Sequence, residues 1–135
     1  MALTVLDAGI VIAVIEQTDL HHEAAHLAVA RVRRDGDRLV VPAAAYAEVM
    51  VKPFTRGADA AGKVDEFVDA LPAVVEPVTR SIAAEAARLR ARHGRALRLP
   101  DAMIIATATA LEADRILTTD RGWPDLGVPV EVVQG

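Results

Sequence analysis

The sequence predicts an α/β fold: one three-layer domain with a central, mainly parallel five-stranded sheet flanked by helices. Three observations carry this. Short apolar runs rich in β-branched residues recur along the chain, and longer segments of helical periodicity separate them. The 135 residues suffice for one core of ordinary size. No repeat, low-complexity tract or linker divides them, so residues 1–135 form a single domain.

Each element follows in order. Leu3 to Leu6 is a short strand, and the apolar run after Asp7 can be helical. A helix is expected over residues 19–34, opening near Asp19 and stopping at Gly36. Arg38 to Val41 is the second strand, and Pro42 suits the first turn of a helix through Val51. Gly57 separates this from a helix ending near Leu71, and Ala73 to Val78 contains the third strand. Thr79 can cap a helix that runs to His93 and ends at Gly94. Pro100 and Asp101 open a helix through Ala113; Arg115 to Thr118 and Val128 to Val133 are strands four and five.

Composition narrows the function. There is no cysteine, which excludes a disulfide scaffold, a thiolate metal site and a thiol nucleophile. The net charge of -4 provides no basic field for nucleic acid, although Arg outnumbers Lys 13 to 2. The N-terminal apolar stretch lacks a basic leader, is interrupted by Asp7 and falls short of a span of about 20 residues, so a cytoplasmic protein without membrane contact is expected. At 53% hydrophobic residues, the chain is rich for a small monomer; a self-associating surface, as in a homodimer, accounts for the excess.

Four acids interrupt apolar surroundings. Asp7 is the only charge from Met1 to Ile15, Glu48 the only one between Arg38 and Lys52, and Asp101 the only one between Arg98 and Glu112. Asp120 directly follows the strand ILTT. Unpaired acids in such settings need compensation. Ligands of an open parallel sheet gather at the carboxyl ends of its strands. Asp7 and Asp120 end strands one and four; Glu48 lies in the helix after strand two, and Asp101 in the first turn of the helix before strand four. Carboxylates without His or Cys make an oxygen-only site suited to Mg²⁺ or Mn²⁺. Singly, Asp7 can be a helix cap, Asp101 a first-turn acid and Asp120 part of a turn. Glu48 admits neither a cap nor a turn, only an ion pair with an Arg, and the set of four favours a site.

VLDAGIVIAVIE, VPAAAYAEVMV, LRLPDAMIIATATAL and ILTTDRGW, in that order, resemble the PIN-domain ribonucleases, and more narrowly the VapC-type toxins of bacterial toxin–antitoxin pairs. The likeness runs from Leu3 to Val133. It implies that Asp7, Glu48, Asp101 and Asp120 are catalytic metal ligands, with Glu48 acting directly, through water, or by orienting the attacking water. It matches the family's Ser/Thr beside the last acid to Thr118 or Thr119, in contact with a metal-bound water. It implies Mg²⁺- or Mn²⁺-dependent hydrolysis of RNA to 5′-phosphate and 3′-hydroxyl ends, a cognate antitoxin partner and, as alternatives, a housekeeping RNA-processing nuclease or a catalytically silent binding protein. Where the family often has Ser or Thr after the first Asp, this chain has Ala8-Gly9. Asp125 is a further acid, either an outer ligand or a loop residue.

Arg88, Arg90, Arg92, Arg95 and Arg98 form the densest basic stretch. Arg98, nearest Asp101, is the candidate RNA contact, and Glu85–Arg88 reads as an i,i+3 pair on a solvated face. With four aromatic residues, a base-stacking platform is not expected. His22-Glu23-Ala24-Ala25-His26 matches the H-E-x-x-H pattern of zinc proteases, but its helix face is opposite Leu20, Ala24 and Leu27, and Glu48 is the only obvious third ligand. A receiver domain would need a late lysine, whereas Lys52 and Lys63 are the only ones. Gly-rich nucleotide loops are absent.

Overall fold

The structure is a computed structural model that describes residues 1–134. Its sheet is built from β1 (Leu3–Leu6), β2 (Arg38–Pro42), β3 (Ala73–Glu76), β4 (Arg115–Thr118) and β5 (Val130–Val132), in the order β3-β2-β1-β4-β5. All four pairings are parallel. Helices α1 (Ala8–Ile15), α2 (His22–Arg34), α3 (Ala43–Arg56), α4 (Ala58–Ala70), α5 (Arg80–His93) and α6 (Leu99–Ala110) connect the strands. The expected α/β three-layer domain is therefore the observed one.

Right-handed crossovers explain the layering. From β1 the chain steps outward to β2 and then β3, which carries α1 to α4 over one face. It then returns across the sheet to β4, which carries α5 and α6 over the other. The core between the layers contains Leu6, Ile10, Ile104, Ile105, Ile116 and Leu117, each no more than 2% exposed. Each contributes about 1.5–3 kcal/mol by leaving water. Helix α6 is buried on nearly every side, as its run of apolar residues predicts, and Thr107 satisfies its hydroxyl on the Met103 carbonyl one turn back.

Several element ends differ from expectation. The second helix opens at His22 because Asp19 folds residues 19–21 into a turn, accepting the His21 N–H on its side chain and the His22 N–H on its carbonyl. Pro42 is the last residue of β2, in register with Glu76, and it precedes α3 in extended conformation instead of opening it. α3 continues past Val51 to Arg56 because Pro53 is buried inside it and breaks only the hydrogen bond to Val49. α6 ends at Ala110, since Glu112 turns to a positive φ of 52°. Thr79 caps α5 by accepting the Ile82 N–H at 3.1 Å, and Gly94 ends it with φ 58°, both as expected.

Candidate active site

The strand order reverses between β1 and β4, and the carboxyl ends of these two strands form the crevice where such sheets bind ligands. Asp7 follows β1 directly. Its Oδ1 accepts the Ala8 N–H at 2.8 Å, capping α1, and its Oδ2 accepts the Thr118 hydroxyl at 2.6 Å. The Thr118 oxygen in turn accepts the Asp120 N–H at 3.0 Å. Thr118 is fully buried, and its hydroxyl, donating to Asp7 and accepting from Asp120, ties the two together. Asp7 is 6% exposed; burial, with smaller contributions from the charges of Asp101 and Asp120, pushes its pKa up to about 6 against the lowering effect of those two hydrogen bonds.

α3 leaves the same sheet edge after β2 and brings Glu48 in its second turn. α6 starts at that edge on its way back to β4 and brings Asp101 in its first. Burial raises the pKa of the Glu48 carboxyl, and so do the charges of Asp7 and Asp101, while Arg98 opposes them. The Oε1 of Glu48 is buried without a hydrogen-bond partner. Asp101 is 7% exposed; burial raises its pKa, Arg98 lowers it and Asp120 raises it. Arg98 lies over these acids with its Nε 3.4 Å from Asp101 Oδ2 and most of its side chain in solvent. Asp7, Glu48, Asp101 and Asp120 thus lie along one edge, where Asp7 feels the charges of Asp101 and Asp120, and Glu48 those of Asp7 and Asp101. Asp120 is exposed, and its Oδ1 accepts the Gly122 N–H at 2.7 Å, so it also serves the turn.

As the side chains stand, no three of the described acids or histidines are close enough to hold one ion. The donor set nevertheless fits a hard divalent cation. It is all carboxylate, two of its members are buried, and Glu48 offers an oxygen with no other partner. Asp125 does not join the site; it accepts the Gly127 N–H at 3.1 Å in a turn. Arg88 is held by Glu85 through its Nε at 3.0 Å, as the i,i+3 spacing predicts. His22 hydrogen-bonds the Ala13 carbonyl through Nδ1 at 2.7 Å and stacks on His26 at 6.3 Å, and no third ligand joins the pair among the described residues. Trp123 was not legible as a site residue. Its indole N–H is buried without a hydrogen-bond partner near the Asp101 carboxyl. The signal was the one tryptophan of the chain, three residues after Asp120.

A sequence model of the PIN domain matches residues 4–129, nearly the whole chain. The chain belongs to the PIN domain family. Among solved structures, this PIN domain is similar to VapC20, a sarcin-ricin-loop-cleaving toxin of Mycobacterium tuberculosis, with a TM-score of 0.68 at 19% identity over 84% of this chain and 86% of that one. A toxin–antitoxin complex from Klebsiella pneumoniae gives 0.70 at 20% identity, covering 94% and 93% of the two chains. The DNA-bound VapBC of Salmonella typhimurium gives 0.68 at 18%, covering 97% and 98%. At these identities the likeness is one of fold. No curated protein matches the sequence.

Proposed function

We propose that this PIN domain is a Mg²⁺- or Mn²⁺-dependent endoribonuclease, the toxin of a toxin–antitoxin pair, with Asp7, Glu48, Asp101 and Asp120 as its catalytic acids. The observation that carries the reading is the buried Asp7 at the β1/β4 switch point, which feels the charges of Asp101 and Asp120 and acts in turn on Glu48, whose Oε1 is buried without a partner. Family membership and the toxin structures that share the fold support it.

Asp7, Glu48, Asp101 and Asp120 would hold a divalent ion, which would supply a water of lowered pKa and neutralise charge on the phosphate. The chain's residues do the rest. The Ala8 N–H and the Thr118 hydroxyl fix both oxygens of Asp7, so that carboxylate is oriented before anything binds. The half-buried Glu48 carboxylate can accept a hydrogen bond from the attacking water. The oxygen of the water adds to phosphorus as the P–O3′ bond breaks, and the proton that the water gives up balances the one that the leaving O3′ takes, giving 5′-phosphate and 3′-hydroxyl ends. Arg98, extended into solvent over the acids, is positioned to meet a phosphate of the incoming RNA.

Exposed Leu20, Leu27, Val51, Phe54 and Phe67 favour a covered surface, consistent with an antitoxin and a second copy as partners. No described helix is long and apolar enough to cross a membrane. The test is cleavage of RNA by purified protein with Mn²⁺ or Mg²⁺. The wild type is expected to cut, and Asp101→Asn to be inert with an unchanged circular dichroism spectrum. Intact RNA with wild type and both metals would leave the silent binding domain as the better account.

A further inference from the structure

His22 and His26 lie one turn apart on the same face of α2, and neither serves the carboxylate edge. His22 meets the end of α1, where the last carbonyls of a helix lack intrahelical donors. Its Nδ1 donates to the Ala13 carbonyl at 2.7 Å, at the opposite end of α1 from Asp7. A carbonyl only accepts, so Nδ1 carries the proton, and in the neutral ring Nε2 is left with its lone pair. That one bond fixes both the tautomer and the direction of the ring. Capping α1 accounts for His22 Nδ1 but not for His26. The His26 ring stacks on that of His22 with centroids 6.3 Å apart and planes 25° from parallel, and among the described residues it makes no hydrogen bond. Both rings line one open pocket with Gln17 and Phe67, and none of the four acids lines it.

From this arrangement we infer that His22 and His26 form a two-nitrogen site for a borderline divalent transition ion, Zn²⁺, Ni²⁺ or Cu²⁺, separate from the carboxylate edge. Imidazole suits these ions, whereas Mg²⁺ and Mn²⁺ favour the oxygens of the acids. The i,i+4 spacing puts both rings within reach of one ion, as in the helical H-E-x-x-H pattern. Exposed His26 has room to turn towards an ion held on His22 Nε2. The Ala13 carbonyl is the kind of outer partner that orients a ligating histidine. The carboxyl end of α1 also favours the positive charge that the ion brings to that ring. Among the described residues no third acid or histidine completes the set, so water fills the remaining positions and the third protein ligand of a zinc protease is missing. Arg33 lines the same pocket but is exposed, and its charge can turn into solvent.

The test titrates the folded chain with Cu²⁺ and Zn²⁺ in excess Mg²⁺, which competes for the acids. The wild type is expected to take up one Cu²⁺ per chain, with the nitrogen hyperfine pattern of imidazole in electron paramagnetic resonance, and to bind Zn²⁺ more weakly. His26→Gln removes no hydrogen bond from the fold. It should lower Cu²⁺ affinity by more than about tenfold, since losing an outer-shell partner alone costs that much. His22→Gln should do the same. His21→Gln is the control, because the His21 Nδ1 lies 3.7 Å from Asp19 Oδ1 and away from the pair. It and Asp101→Asn should both keep wild-type Cu²⁺ affinity. Zn²⁺ should raise the Tm of the wild type by more than that of His26→Gln. Undiminished Cu²⁺ binding in His26→Gln, or an equal loss in His21→Gln or Asp101→Asn, overturns the assignment. None of these readouts depends on RNA cleavage, so failure here leaves the nuclease reading in place.

Discussion

Asp7 does two jobs at once, and its energetics follow from the conflict between them. As a cap it satisfies an N–H at the start of α1, and as a charge it is buried beside other acids. Acids at the opposite end of the sheet show the ordinary solution. Asp37 accepts the Thr4 hydroxyl at 2.6 Å and stands 3.5 Å from Arg115, and Asp114 accepts the Leu3 N–H at 2.7 Å. The site acids have no such cation except the largely solvated Arg98. With a folded pKa of about 6 against 3.8 for an ordinary aspartate, Asp7 holds a proton in the folded state that the unfolded chain releases. Its contribution to stability is fully present below pH 3.8 and lost as pH rises through about 6. Two units correspond to at most about 3 kcal/mol. Asp7→Asn, uncharged throughout, should therefore melt above the metal-free wild type at pH 7.5, and the gap should close towards pH 4. Melting curves in chelator across that range check this; a gap that does not depend on pH would show that the charge of Asp7 is not what costs stability. The isolation of Asp7, Glu48 and Asp101 in apolar runs was legible in the sequence. The capture of the Thr118 hydroxyl was not, because nothing in the string TTD says which threonine faces inward.

At the scale of elements, local chemistry was legible where one residue decides the outcome, as with the Thr79 cap and the Gly94 stop. It was not legible where tertiary burial overrides a local rule. Pro53 would end a solvated helix, yet buried in α3 it does not. The end of β4 is such a tertiary feature, since Thr118 joins it to the start of α1 and to the Asp120 turn. Thr118→Val keeps the shape but leaves the Asp120 N–H without an acceptor and Asp7 Oδ2 without a donor. A cost of about 1–3 kcal/mol is expected for polar groups stranded in this way, seen as a clear fall in Tm. Thr119→Val, two atoms of backbone away in direction but without a bonded hydroxyl to lose, should leave the Tm of the metal-free protein nearly unchanged. Equal falls in the two variants would show that Thr118 is not the structural tie.

The whole molecule converts separate local features into one electrostatic object. The sequence gives no strand order; that order follows from right-handed crossovers and packing, and only its reversal between β1 and β4 brings residues 7, 48, 101 and 120 together. Two carboxylates about 6 Å apart repel by about 3 kcal/mol at an effective dielectric of about 20. Burial first, and the charges of neighbouring acids after it, raise the pKa values of Asp7, Glu48 and Asp101, and both effects hold the metal-free fold below its attainable stability. Surface association should be visible separately: sedimentation is expected to give a species of twice 14.3 kDa, and a monomer at micromolar concentration would count against the dimer. For the acids, a divalent ion that binds only the folded chain removes repulsion and adds stability by linkage, about 2.7 kcal/mol at a hundredfold excess over Kd. Neutralising Asp101 removes part of the repulsion and part of the binding site at once. Chelated Asp101→Asn should therefore melt above chelated wild type at pH 7.5, and Mn²⁺ should raise the wild type by more than the variant. These two differences have a common origin, so they must appear together. If chelated wild type melts no lower than the variant and Mn²⁺ moves neither, the four acids do not act as a unit. Asp7, Asp101 and Asp120 would then be a cap, a first-turn acid and a turn, sharing an edge without sharing an ion.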